Sequence, residues 1–195
     1  DADPLGGGLE LVLGAERADG LRWDDFGSTR GRVDAGSFAG VLPVHRGVSS
    51  LSWGTGARRE LPPSVPTVLD AAVRGFDVVA ADVPRRLDTA GAEIVGRSVL
   101  TVLLVPEEIA AVAAARQVAS LLDGCAPAIG LISVARRSGI GPGAVSDALE
   151  LPVLARLRPD RRVRGTVDRG LGPGGSRRLR RAADAVLDAL GLEKQ

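Results

Sequence analysis

Methionine, tyrosine and asparagine are missing from this 195-residue chain, and lysine, histidine and cysteine occur once each. A single cysteine, Cys125, rules out a disulfide framework and a cysteine-rich metal site, and it suits a reducing cytoplasm. The lone histidine, His45, lies in a loop-like stretch with no acid or nucleophile spaced to use it, so a Ser–His–Asp site is not supported. Aromatic residues make up only 3% of the chain against 45% hydrophobic residues overall, so the core is expected to be aliphatic and thin, with Trp23 and Trp53 as packing residues. No apolar run approaches the roughly 20 residues of a membrane span, and no signal peptide is visible. The first residue is aspartate, which makes the chain read as a piece of a longer protein.

The basic residues are almost all arginine: Lys194 is the sole lysine among 25 Lys and Arg, and the formal net charge is +1. A chain of this length supports one domain with a sizeable core. Strand-like runs alternate with helical ones, which predicts an α/β fold with a mainly parallel sheet. Strands are expected at residues 48–53 (closed by Gly54-Thr55-Gly56), 76–81, 99–105, 129–134 and 151–157, the last at a sheet edge. Helices are expected at 9–13, 65–74, 90–97, 107–122, 143–149 and 176–190. Glu107 and Glu108 fall in the first turn of their helix, where the dipole favours acids, and Ser176 is placed to cap the last helix. Residues 158–175 read as an Arg- and Gly-rich loop.

Parallel α/β sheets place their sites beyond the carboxyl ends of the strands. Asp3, Asp82 to Arg86, Pro106 and Arg136 all fall at such ends. Asp82 closes the apolar run Phe-Asp-Val-Val-Ala-Ala, a Walker B pattern in which the acid holds a water of a phosphate-bound Mg²⁺. The same acid also suits a turn, and Asp1 and Asp3 also suit a cap on the helix at 8–13.

Taken together, the stretches DADPLGGGLELVLGAE, LRWDD, SSLSWG, FDVVAADVPRRLD, VLTVLLVPEEIAAVAAARQV and LRPDRRVRGTVDRGLGPGG resemble the MinD/ParA superfamily of deviant-Walker P-loop ATPases. Within it they look most like the CpaE-like, septum-site-determining proteins found beside secretion and pilus genes in high-GC bacteria. The resemblance covers residues 1 to about 175. It implies a three-layer sandwich lacking its first strands and phosphate loop, with 176–195 as a C-terminal helix packed on the same domain. It implies ATP and Mg²⁺ as cofactors of the intact family, and no nucleotide bound by this piece alone. By resemblance, Asp3 orients the attacking water, Asp1 is the strand-end acid before it, and Asp82 is the Mg²⁺-linked acid, with Pro84 in the second switch loop. Pro159 and Asp160 match the loop against the adenine. The implied biology is a homodimerisation switch in the cytoplasm or at the inner face of the membrane, with division, pilus or secretion proteins as partners.

The sequence departs from that pattern in two ways. It has no phosphate-loop lysine, so ATP hydrolysis by this polypeptide is not expected. Arg85 and Arg86 also follow Pro84 where the family's switch has a glycine. The Gly172 to Ser176 run opens a helix but lacks lysine and a preceding strand. Ten arginines lie between Arg156 and Arg181 against Asp160 and Asp168. Arg161, Arg162, Arg164, Arg177, Arg178, Arg180 and Arg181 are the candidates for binding an acidic partner, a membrane surface or non-specific DNA. Two further readings follow: a non-catalytic scaffold working through this patch, and a ParA-type DNA-partition ATPase.

Overall fold

The computed structural model describes residues 1–54 and 60–192, which leaves Thr55, Gly56 and Lys194 outside the described residues. Those described form two compact units, residues 1–94 with 163–174 and residues 95–162 with 175–192.

The first unit opens with the glycine loop and α1 (Leu9–Leu13), followed by a 3-10 turn at Trp23–Phe26 and α2 (Ala35–Val41). Asp34 starts α2 by accepting the Ser37 amide at 2.8 Å, and this bond holds its carboxyl below the usual range. A two-residue hairpin pairs β1 (Val44–His45) with β2 (Val48–Ser49). α3 (Val65–Gly75) has a proline in its first turn and buries Val65, Val68, Ala71 and Ala72, the spacing of one helix face. That face joins Trp23, Phe26, Phe38, Leu42, Leu61 and Ile94 in the unit's core. Phe38 meets Phe26 and Phe76 edge-on at 5.7 and 6.5 Å, a favoured aromatic arrangement. The Gly14 loop passes so close to Gly170 that a Cβ at Gly14 would sit 2.1 Å from the Gly170 carbonyl oxygen, and Gly14 also has a left-handed φ of 73°.

The second unit is built on a parallel sheet ordered β3 (Thr101–Pro106), β4 (Ile129–Val134), β5 (Val153–Leu157). Crossovers α5 (Ile109–Leu122) and α6 (Pro142–Leu149) join the strands, as parallel pairing requires. Val105, Val112, Leu131, Val145 and Leu149 fill its core, each such burial contributing about 1.5–3 kcal/mol. α8 (Arg177–Ala189) packs on β5 and is capped by the Ser176 hydroxyl, which accepts the Leu179 amide. The α/β class, the parallel sheet, the edge position of residues 151–157 and the Ser176 cap all agree with the sequence reading.

Four expectations need correction. Residues 76–81 run extended but join no ladder among the described residues, and Val78 and Val79 stay 51% and 43% exposed. The sequence is apolar enough for a central strand, but no described strand lies beside it. Of residues 48–53 only Val48 and Ser49 pair as a strand. The 158–175 stretch is not all loop, because α7 (Arg161–Val167) forms there. Glu107 and Glu108 precede α5 rather than filling its first turn, since Glu107 is drawn inward by Arg156. α4 (Thr89–Arg97) lies where it was expected.

Candidate functional site

The first unit brings the Asp1–Asp3 loop beside the end of residues 76–82. The Ala2 amide donates to the Asp82 carbonyl at 2.7 Å. On its other side the Asp1 amino group donates to Leu51 O at 2.9 Å, and the Trp23 indole donates to Asp1 O at 2.7 Å. Two segments that are remote in sequence therefore bracket the acidic loop.

The two loop acids differ in environment. One Asp1 oxygen accepts the Ser52 hydroxyl at 2.7 Å and the Leu9 amide at 2.9 Å, while the other accepts the Asp3 amide at 3.2 Å. Asp1 is thus committed to holding the loop and starting α1, the capping role that the sequence left open. Ser52, almost wholly buried, is the partner that the sequence did not reveal. Among the described residues the Asp3 carboxylate receives only the Leu5 amide, at 3.0 Å on one oxygen, and Asp3 is half-buried. Asp82 is exposed; its carboxylate makes no hydrogen bond or ion pair among the described residues, although its charge acts on the Asp1 amino group. Pro84 follows it, half-buried. Two carboxylates near one backbone junction with open oxygens suit Mg²⁺, which takes one or two carboxylates and completes its shell with water and phosphate. No group of three potential metal ligands occurs among the described residues, so phosphate and water would have to supply the rest.

Just beyond, Glu10 in α1 is buried against Arg22, with Nε to Oε1 at 2.6 Å. Desolvation raises the Glu10 carboxyl above its ordinary range, and the Arg22 charge opposes this. Arg22 also donates to Gly20 O and Ala18 O. This pair anchors the helix that follows the acidic loop, and sequence patterning gave no sign of it.

Pro159 and Asp160 belong to the second unit, after β5. Asp160 accepts the Arg162 amide at 3.1 Å and the Ser176 hydroxyl at 2.9 Å, and these bonds hold its carboxyl low. Arg178 donates to Pro159 O at 2.5 Å. This loop is therefore fastened to the start of α8. Of the seven arginines singled out, Arg164 lies in the first unit and the other six in the second. All seven are exposed.

The strand ends of the second unit hold a further charged group. Glu107 is fully buried and accepts two bonds from Arg156, at 2.7 and 2.8 Å, and one from the Ser133 hydroxyl at 2.8 Å. The Arg156 bonds keep the Glu107 carboxyl below its ordinary range despite burial, with Ser133 adding to them. Glu107 thereby ties together the carboxyl ends of β3, β4 and β5. An exposed pair, Arg136 to Glu108 at 2.7 Å, lies beside it.

No family model matches the chain. Uncharacterized proteins of Mycobacterium tuberculosis strains H37Rv and CDC 1551 are each 36% identical to it over 172 residues, covering 87% of this chain and 49% of theirs. The chain thus spans about half the length of the curated relatives it matches. Among solved structures it is similar to the cell-division ATPase MinD of Pyrococcus furiosus, with a TM-score of 0.73, 20% identity, and coverage of 93% of this chain and 81% of that one. A ParA family ATPase of Chlorobium tepidum gives a TM-score of 0.73 at 12% identity, covering 92% and 78%. The septum site-determining protein MinD of Pyrococcus horikoshii, solved with Mg-ADP, gives 0.64 at 18% identity, covering 94% and 89%. The fold of this chain is that of the MinD/ParA ATPases.

Proposed function

We propose that the chain is part of a MinD/ParA-type nucleotide switch, of the CpaE-like, septum-site class, that binds ATP with Mg²⁺ and dimerises when loaded. The observation that carries this reading is the Ala2–Asp82 bond, which joins the Asp1–Asp3 loop to the loop of the Mg²⁺-linked acid. In this reading Asp82 holds the metal through water, Asp3 orients the attacking water, and Asp1 keeps the loop in shape. Pro159 and Asp160 bound the adenine. Bound Mg²⁺ would supply charge neutralisation at the phosphates.

Two open strand positions support a missing element. Residues 76–82 have no ladder partner among the described residues, and β3 is there an edge strand of the second unit although it is among the most apolar runs in the chain, with Leu104 61% exposed. Exposed apolar edges of parallel sheets are ordinarily covered. The strand and phosphate loop are proposed to lie in the half of the relatives that this chain does not span. The proposed role is positioning of the septum or of pilus or secretion machinery from the cytoplasmic face of the membrane. No helix among the described residues is long and apolar enough to cross a membrane.

Calorimetry of ATP with Mg²⁺ on this chain and on the full-length protein tests the proposal. Binding by the full-length protein only is the expected result. Binding by this chain alone would show that the phosphate loop is dispensable, and binding by neither would leave a scaffold.

A specific observation favours a second reading, a surface for polyanions. Arg158, Arg161, Arg177, Arg180 and Arg181 are exposed and make no side-chain hydrogen bond or ion pair among the described residues. Four of the arginines open α8, where cations oppose the helix dipole. The apolar stripe of α8 is engaged with β5, which disfavours lipid insertion and leaves phosphate chains of DNA or an acidic protein. A ParA-like DNA interaction predicts duplex affinity that falls steeply with salt. Salt-insensitive binding would eliminate it.

A further inference from the structure

Three arginines of the first unit have structural work: Arg22 pairs with Glu10, Arg46 donates to Leu171 O at 2.9 Å, and Arg74 donates to Val33 O at 2.8 Å. Arg85 and Arg86 do not. Both are exposed, and neither has a hydrogen bond or ion pair among the described residues. Yet the loop that carries them is well anchored. It begins at Asp82, whose carbonyl holds Ala2, and Val83 packs against the core of the unit. It ends at Asp88, which accepts the Gly91 amide at 2.7 Å and so starts α4. A Cβ on Gly91 would come within 3.2 Å of Leu87 and 3.3 Å of Asp88, so this end of the loop has little slack. Two free guanidiniums therefore stand on a short, pinned segment at the carboxyl end of residues 76–82, where α/β sites form.

We infer that Arg85 and Arg86 are phosphate-binding cations that take the polyphosphate of a nucleoside triphosphate at this site. The inference rests on the nucleotide-switch reading above. Three and four residues of extended chain place their Cα atoms within about 10 and 14 Å of that of Asp82. Asp3, Asp82 and Asp88 are the acids of the two loops, and none makes an ion pair with either arginine among the described residues. The loop thus holds separate groups for a metal and for an anion. A nucleoside triphosphate carries more negative charge than one Mg²⁺ removes, so protein cations at the phosphates add to the metal. The planar fork of a guanidinium matches two phosphate oxygens at once.

The test uses the full-length protein and calorimetry with ATP·Mg²⁺ and with adenosine. The double substitution R85A/R86A is expected to weaken ATP·Mg²⁺ binding at least tenfold, as loss of charge-assisted hydrogen bonds implies, and to leave adenosine binding unchanged. R85K/R86K retains the charge without the fork and is expected to fall between wild type and R85A/R86A. Because both side chains are solvent-exposed, melting temperatures should stay close to wild type. Unchanged ATP affinity in R85A/R86A overturns the inference. An equal loss for ATP and adenosine also overturns it, since that marks a structural role. If the wild type binds no nucleotide, the nucleotide-switch reading fails and this inference with it.

Discussion

Replacing Arg156 by methionine, which keeps much of its length and removes its charge, tests the clamp at the sheet ends. The Glu107 side chain has no exposed surface, whereas that of Arg156 is 40% exposed. The substitution therefore strands a buried carboxylate that keeps only the Ser133 hydroxyl and the Arg136 amide as donors. Breaking a buried pair from one side costs about 3–5 kcal/mol, and the surviving bonds from Ser133 and the Arg136 amide argue for about 3 kcal/mol here. For a chain of this size that lowers Tm by about 6–12 °C, read by thermal unfolding at neutral pH. The pH dependence has a definite sign. In the wild type, pairing lowers the folded-state pKa of Glu107, so its contribution is present above the ordinary carboxylate range and is lost as pH falls through the lowered value. In the variant, burial without a partner raises the folded-state pKa, so the penalty is present at neutral pH and is relieved as the acid protonates. The Tm gap between wild type and variant should therefore narrow as pH drops from neutral towards the carboxylate range. E107Q should cost less than R156M, because the half-exposed Arg156 can turn to water while a stranded Glu107 cannot. A gap that does not change with pH, or a variant as stable as wild type, refutes the assignment of a buried charge pair.

Gly139→Ala should be destabilising by about 1–3 kcal/mol in chemical denaturation, because the new Cβ would lie 2.6 Å from the Glu107 Cβ and 2.9 Å from its carbonyl oxygen. Ser176→Ala removes the cap of α8 and should cost about 1 kcal/mol, seen as faster amide exchange in the first turn of that helix. Ser52→Ala removes the hydroxyl on Asp1 and should cost about 1 kcal/mol, with exchange rising at the Leu9 amide, which shares the same carboxylate. In the full-length protein, Asp82→Asn should weaken Mg²⁺-dependent nucleotide binding with little change in Tm, since Asp82 is exposed. A large Tm loss instead would make Asp82 a structural residue.

Elements that were legible in the sequence are those whose signal is local. α3 shows its buried face as a spacing of three and four, α8 shows its cap as Ser176, and β4 is an apolar run of strand length bounded by turns. Residues 76–81 misled because an apolar run records what a segment should be buried against without supplying the neighbour. The Asp1–Asp3 loop was recognisable as a candidate site, but the division of labour within it was not. That division depends on Ser52, Leu9 and Trp23, three residues whose convergence on Asp1 is a product of tertiary structure.

Glu107 shows the same limit most clearly. From sequence, two acids ahead of an alanine-rich run belong in the first turn of a helix, where the macrodipole favours them. The tertiary partner proved stronger: Arg156 lies 49 residues away and bonds both carboxylate oxygens. A bidentate guanidinium pair with a hydroxyl outweighs a dipole term of a few tenths to 1 kcal/mol, so Glu107 leaves the helix and closes the ends of three strands. The same contrast separates the arginines of this chain. Arg156 and Arg22 lie against buried acids and hold the fold, whereas Arg85 and Arg86, on an equally well-anchored loop, have no such partner. Composition gives all of them one letter, and only the presence or absence of a partner distinguishes a structural cation from one available to a ligand.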